Sequence, residues 1–140
     1  MLECLILGDS IAKGISDIRV ECVAHVKSGI NSYDYVNRHV LHTQGDTQAK
    51  TVIISLGSND LKNVDTYEEL NTLRQLVKAD RVYWIMPNVK ESKRKAVWMV
   101  ARDYDDQVID ARNYDRSPDA VHPTYKGYRD IANETRKVNN

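Results

Sequence analysis

Ser10 follows the apolar run Leu2-Glu3-Cys4-Leu5-Ile6-Leu7 and the residues Gly8 and Asp9 that end it. A serine just after a strand, leading into a turn or helix, stands at the mouth of a crevice. Its own N–H points outward, where a helix dipole would favour negative charge. Such a hydroxyl is a poor nucleophile until a base removes its proton; by position alone it also reads as a helix N-cap. The candidate base is His122. Pro123 follows it, which favours an extended His122 and suits the first position of a helix. Asp119 lies three residues upstream. That spacing within one tight turn can hold a carboxylate against the imidazole Nδ1–H and leave Nε2 free to act as base. The competing reading is a surface capping turn in which Asp119 bonds backbone N–H groups.

Acyl transfer also needs donors aimed at the oxyanion, and loss of one costs roughly a hundred- to thousandfold in rate. Gly29 could bring a bare N–H close to a substrate, and Asn59 could offer its side-chain NH₂. A turn glycine and a loop asparagine are the plainer readings of both.

These residues need elements to position them. The opening run reads as a buried parallel strand. A second run, Val20 to Val26, stops at Ser28-Gly29; Thr51 to Leu56, β-branched and uncharged, is the clearest strand; Arg81 to Met86 and Gln107 to Asp110 are the fourth and fifth. Helical patterns cover Asn31 to about Thr43, Thr66 to Lys78, Glu91 to Tyr104 and Thr124 to Lys137. Strands alternating with helices predict one domain over residues 1–140, an α/β chain folded as a three-layer α/β/α sandwich around a five-stranded parallel sheet, flavodoxin-like. In such a sheet the ligand crevice lies outside the carboxyl ends of the strands, where strand order reverses. Ser10, Gly29 and Asn59 each follow a strand, and Asp119 and His122 precede the last helix.

A length of 140 residues buries a core without metal or disulfide staples. Twenty basic residues balance twenty acidic ones, so no whole-chain field draws the protein to nucleic acid or an anionic membrane. The basic stretch Lys90, Lys93, Arg94, Lys95 is expected to be a solvated helix face, and no apolar run approaches a membrane span. Cys4 and Cys22 each sit in an apolar run and are expected as buried thiols; a bridge between neighbouring strands in an oxidising compartment is the alternative. Two cysteines alone make no metal site. The first strand begins almost at Met1, leaving no room for a secretion signal, so a cytoplasmic protein is the default expectation. No role is assigned to His25, His39 or His42.

Gly8-Asp9-Ser10-Ile11, Gly29, Gly57-Ser58-Asn59-Asp60 and Asp119-Ala120-Val121-His122-Pro123 occur in order, each block but the last following a strand. Together they resemble the four blocks of the SGNH (GDSL-like) hydrolases, from Gly8 to the trailing Gly127-Tyr128. Two departures stand out: Ile11 replaces the leucine of the GDSL consensus, apolar in both, and the chain is short for the family, without large substrate-covering insertions. The resemblance implies a serine ester hydrolase with no metal or organic cofactor. Ser10 would be nucleophile, His122 general base and Asp119 its orienting partner; the Ser10 N–H, the Gly29 N–H and the Asn59 side chain would form the oxyanion hole. Asp9 and Asp60 would tie loops together. An open crevice predicts short acyl groups such as acetyl, with a small-molecule or carbohydrate ester as partner. The alternatives are a non-catalytic binding or assembly module of the same fold, and a nucleotide or phosphate binder, against which Gly8-Asp9-Ser10 lacks a glycine-rich cradle and its lysine.

Overall fold

The computed structural model describes residues 1–40 and 47–137. Five parallel strands form one sheet in the order β2-β1-β3-β4-β5: β1 (Leu2–Gly8), β2 (Val23–Val26), β3 (Ala49–Ser55), β4 (Arg81–Met86) and β5 (Gln107–Asp110). The chain leaves β1 toward one edge and returns to its other side for β3, so strand order reverses between β1 and β3. Their paired residues run from Leu2↔Ala49 to Gly8↔Ser55, so both strands end level and release Asp9-Ser10 and Leu56-Gly57 side by side.

Alternate residues of the central strands feed separate cores. Leu5, Leu7, Val52, Ile54, Val82 and Trp84 pack on one face of the sheet, against Tyr35 and Val36, Leu70 and Leu73 of α3 (Thr66–Leu76), and Val97, Val100 and Ala101 of α4 (Glu91–Asp103). Ile6, Ile53, Tyr83 and Ile85 pack on the other face, against Ile11, Ala12 and Ile15 of α1 (Ser10–Ile18) and Ile131 and Ala132 of α5 (Tyr125–Glu134). A strand buried on both faces has no polar positions to alternate, which accounts for the unbroken apolar runs. The result is the expected three-layer α/β/α sandwich.

Several expectations need correction. The second strand is only Val23–Val26, because Arg19 closes α1 and Val20 is exposed in the turn that follows. The helix expected from Asn31 is a single α-turn, α2 (Ser32–Asp34), capped by Asn31 and widened into a π-helical segment over Tyr35–His39; its expected end near Thr43, and His42, lie outside the described residues. α1 was not expected as a helix. Gly14 weakens its intrinsic propensity, yet Asp9 caps it, and the spacing of Ile11, Ala12, Ile15 and Ile18 is that of a helix face. Gly14 has a packing reason: a Cβ there would collide with the Tyr128 ring of α5. Arg94 is no part of a solvated face. It is buried, held by Asp110 at 2.7 Å and by the Pro87 carbonyl at 2.9 Å, because charge in a core must be paired.

Cys4 and Cys22 are joined in a disulfide rather than standing as free thiols. The register explains the meeting: Leu5 pairs with Val23, so the preceding residues are neighbours across β1 and the entry to β2. No helix among the described residues is long and apolar enough to cross a membrane.

Candidate active site

The site begins with how β1 ends. Gly8 has φ +139°, and a Cβ there would collide with the Ser55 carbonyl, so only glycine lets β1 turn out over β3. The Asp9 N–H then donates to that Ser55 carbonyl at 3.0 Å. The Asp9 carboxylate is completely buried. It accepts from the N–H groups of Ile11 and Ala12 at 3.0 and 3.4 Å, and from the hydroxyls of Ser55 and Ser58 at 3.2 and 2.7 Å. Burial pushes its pKa above the ordinary value of 3.8, against the downward pull of those donors. Asp9 is thus both the N-cap of α1 and the rivet between the two central loops. Ser10 is the first residue of α1, and its N–H has no partner among the described residues.

Across the switch point, Asn59 and Asp60 arise from the loop after β3. Asp60 accepts from the Ser32 N–H and the Thr66 hydroxyl, each at 2.7 Å, so it fixes this loop to α2 and α3. The Asn59 side chain donates to the Ile30 carbonyl at 3.1 Å, which leaves its second N–H uncommitted. Ile30 directly follows Gly29, whose φ of +81° suits glycine and whose Cα has open space around it. Asn59 therefore couples two of the three loops from which the expected oxyanion donors come.

The third loop enters from the far side of the sheet. His122 Nε2 lies 2.8 Å from Ser10 Oγ, and His122 Nδ1 lies 2.7 Å from Asp119 Oδ2. A carboxylate only accepts, so Nδ1 carries the proton and Nε2 accepts from the serine hydroxyl. The other Asp119 oxygen accepts from the N–H groups of Val121 and His122 and from the Ser117 hydroxyl, all at 2.9 Å. The donation from the His122 N–H above all, with the His122 ring, Ser117 and Val121, holds the Asp119 carboxyl well below the usual carboxylate range. The capping turn and the catalytic reading of Asp119 are thus one structure: one oxygen organises the backbone and the other faces the imidazole. The side chains of His122 and Asp119 are 42% and 52% exposed. In such wet surroundings the pair adds little stability, and its value lies in orientation.

Holding this loop requires residues to which sequence reasoning assigned no positioning role; Asn88 is expected from the sequence only as a pocket-lining candidate after the fourth strand, with Met86 and Pro87. Ala120 sits at φ +62°, a conformation costly for a residue with a Cβ. Its carbonyl accepts from the Asn88 side-chain amide at 2.7 Å, and the Asn88 oxygen accepts from Arg112 Nε at 2.9 Å. Arg112 is placed in turn by its N–H on Asp110, the partner of buried Arg94. A chain of polar contacts thus runs from the core at the ends of β4 and β5 to the turn between Asp119 and His122. The sequence signal was faint: Asn88 lies just after a strand end, where ligand-facing loops begin. Gly127 completes the support, since a Cβ there would collide with the Asp115 carbonyl that also accepts from the Thr124 N–H.

Among the described residues, the one cluster of ligand-type side chains able to surround a cation is Cys4, Glu21 and Cys22, and its two sulfurs are bonded to each other. A cavity of about 670 Å³ opens between the loops that follow β3 and β4, bordered by Ser58 and Val121, the neighbours of Asn59 and His122.

The sequence matches no family model and no curated protein. The fold is another matter. Residues spanning 96% of this chain superpose on 96% of a member of the lipolytic G-D-S-L family from Veillonella parvula, with a TM-score of 0.68 and 18% identity. A carbohydrate acetylesterase from Sinorhizobium meliloti, Est24, is matched over 96% of this chain and 98% of its own, with a TM-score of 0.63 and 13% identity. The protein YxiM from Bacillus subtilis gives a TM-score of 0.70 at 14% identity over 94% of this chain; the match spans about half of that protein, 54% of its length. The chain therefore has the SGNH hydrolase fold, the one shared by GDSL-type lipolytic proteins and esterases.

Proposed function

We propose that this protein is a serine ester hydrolase that removes short acyl groups, acetyl first among them, from a carbohydrate or other small alcohol. The observation that carries the reading is the continuous line Ser10–His122–Asp119: a 2.8 Å contact joins Ser10 to His122, 112 positions away in the chain, and a 2.7 Å contact joins His122 to Asp119. Ser10 comes from the turn after β1 and the His122–Asp119 pair from the loop before α5, so the meeting of the two is a product of the fold and not of local sequence. Est24, a carbohydrate acetylesterase of the same fold, supports the choice of substrate class.

In the reaction Ser10 Oγ attacks the ester carbonyl while its proton passes to His122 Nε2. Ionised Asp119 steadies the resulting imidazolium through Nδ1–H. Negative charge develops on the carbonyl oxygen, and the N–H groups of Ser10 and Gly29 and the uncommitted N–H of Asn59 stabilise it. The intermediate collapses as His122 returns its proton to the departing alcohol, leaving Ser10 acylated. Water, deprotonated by His122, then releases the acid. The chain's own residues supply every group these steps need.

The half-exposed histidine and the short loops leave the crevice open, which suits acetyl better than a long acyl chain. Hydrolysis of chromogenic acetate and decanoate esters tests both parts. The expected result is faster turnover of acetate, falling by roughly four to six powers of ten in Ser10→Ala. Equal rates for wild type and Ser10→Ala would remove the enzyme reading, and preference for decanoate would remove the short-acyl one.

A further inference from the structure

The cavity between the loops that follow β3 and β4 is too large for an acetyl group, and its charges are unevenly matched. About 670 Å³ is room for a sugar-sized group, so in an acetyl ester this space belongs to the alcohol. Its lining carries Lys62, Lys90, Lys93 and Asp60 in a chain whose charges cancel overall, twenty against twenty. The Asp60 oxygens are both occupied, by Ser32 and Thr66. Lys93 turns its ammonium to the carbonyls of Leu61 and Val64, at 3.2 and 2.9 Å, and thereby fastens the loop after β3 to α4. Lys62 and Lys90 remain, one from the loop after β3 and one from the loop after β4, both exposed and neither paired with a carboxylate among the described residues. The acidic neighbours are engaged elsewhere: Glu91 reaches Arg94 at 3.9 Å, and Asp65 accepts from the Glu68 N–H.

A second cavity, bordered by Gly29, makes the contrast. It holds Lys27 and Arg38, but Arg38 is answered by Asp34 at 3.4 Å within the same lining. Two unpaired ammonium groups facing one sugar-sized opening attract a ligand with negative charge.

We propose that the alcohol part of the substrate is anionic, an acylated sugar acid or similarly sized hydroxy acid, and that Lys62 and Lys90 recognise its charge. This rests on the esterase reading of the same site and narrows it. Lys62 and Lys90 act here on specificity, through the part of the substrate that does not react.

Two mixtures test it: randomly O-acetylated methyl glucuronoside and randomly O-acetylated methyl xyloside, which share the same three ester positions and differ in one carboxylate. Wild-type kcat/KM should favour the acidic ester by about tenfold at low salt, two partly solvated ion pairs giving an effect of that order. That ratio should fall toward one in high salt and in the Lys62→Ala/Lys90→Ala double variant. A ratio of one or less in wild type, or a ratio the double variant leaves unchanged, overturns the proposal. Binding of both mixtures to Ser10→Ala, followed by amide chemical shifts, separates the two claims. Saturable binding of the acidic ester that disappears with both lysines, in a protein whose wild type hydrolyses neither mixture, supports the anionic site and sinks the esterase. Failure of Ser10→Ala to bind the acidic ester better than the neutral one overturns the anionic site.

Discussion

Ser10 and His122 face each other across 2.8 Å but are held by different kinds of structure. The turn carrying Ser10 is part of the core. Asp9 is fully buried, Gly8 lies against the backbone of β3, and α1 packs Ile11, Ala12 and Ile15 into one face of the sheet. The loop carrying His122 is half exposed and contributes little to either core. It is shaped by hydrogen bonds to one carboxylate oxygen and by the contact of Asn88 with a residue in left-handed conformation. Ser10 is fixed by folding, whereas His122 is fixed by a small polar framework that folding hardly needs. Changes near Ser10 should therefore be read in stability, and changes near His122 in rate.

The sharpest separation is expected at Asp119. Asp119→Asn should lower kcat by roughly a thousandfold or more, since the imidazole loses both its tautomer and its charge partner. The unfolding midpoint at neutral pH should move little, because the pair is screened by solvent. A large loss of stability with little loss of rate would erase the contrast.

Asp9 should behave in the opposite way. Asp9→Ala removes a helix cap and strands the buried Ser55 hydroxyl and two N–H groups, an expected loss of about 3 kcal/mol in unfolding free energy. The pH dependence adds a finer test. Burial raises the Asp9 pKa above 3.8, so its contribution to stability is complete below that pH and lost as pH rises through the raised value. Asp9→Asn has no such proton to lose. Relative to wild type, its stability should climb as pH is taken from about 4 toward neutrality, and a flat difference across chemical denaturation curves would contradict this.

The disulfide extends the comparison to the other end of the sheet. Cys4 lies at the start of β1, remote from the strand ends that carry the site, and its bridge to Cys22 ties down the edge strand β2. Reduction, or Cys22→Ser, should cost about 3 kcal/mol of stability, the order expected for closing a loop of this length. Ester turnover by the still-folded protein at moderate temperature should change less than about twofold. A rate that follows reduction would show that the edge strand governs the Gly29 loop more directly than the geometry indicates. Such a bridge persists in oxidising surroundings and is reduced in the cytosol.

The smallest effect belongs to Asn88. Asn88→Asp retains an acceptor for Arg112 but no longer donates to the Ala120 carbonyl, so kcat on a small neutral acetate ester should fall about tenfold. An unchanged rate would mean that Asp119 alone shapes the turn.

The contrast also explains what was legible in the sequence. Strand β4 was read to the residue and β3 to within two, because strands buried on both faces announce themselves as apolar runs. Ser10, Asn59, Asp119 and His122 could be named because each borders a strand end or a helix start and keeps a recognisable spacing. What was missed depends on contacts between distant segments. Arg94 resembles any surface cation until Asp110 is placed beside it. Asn88 has no pattern of its own, since its partners Ala120 and Arg112 come from elements 32 and 24 residues away. The two cysteines are 18 residues apart, and only the pairing register of β1 and β2 brings them together.

Whether Ser10 is a nucleophile activated by His122 is decided by reaction with a serine-directed fluorophosphonate, followed by mapping of the labelled peptide. One label per chain is expected, on Ser10, with labelling slowed severely in His122→Ala although that variant stays folded. A folded wild-type protein that takes no label, or one labelled as fast without His122 as with it, would show that no such nucleophile is present.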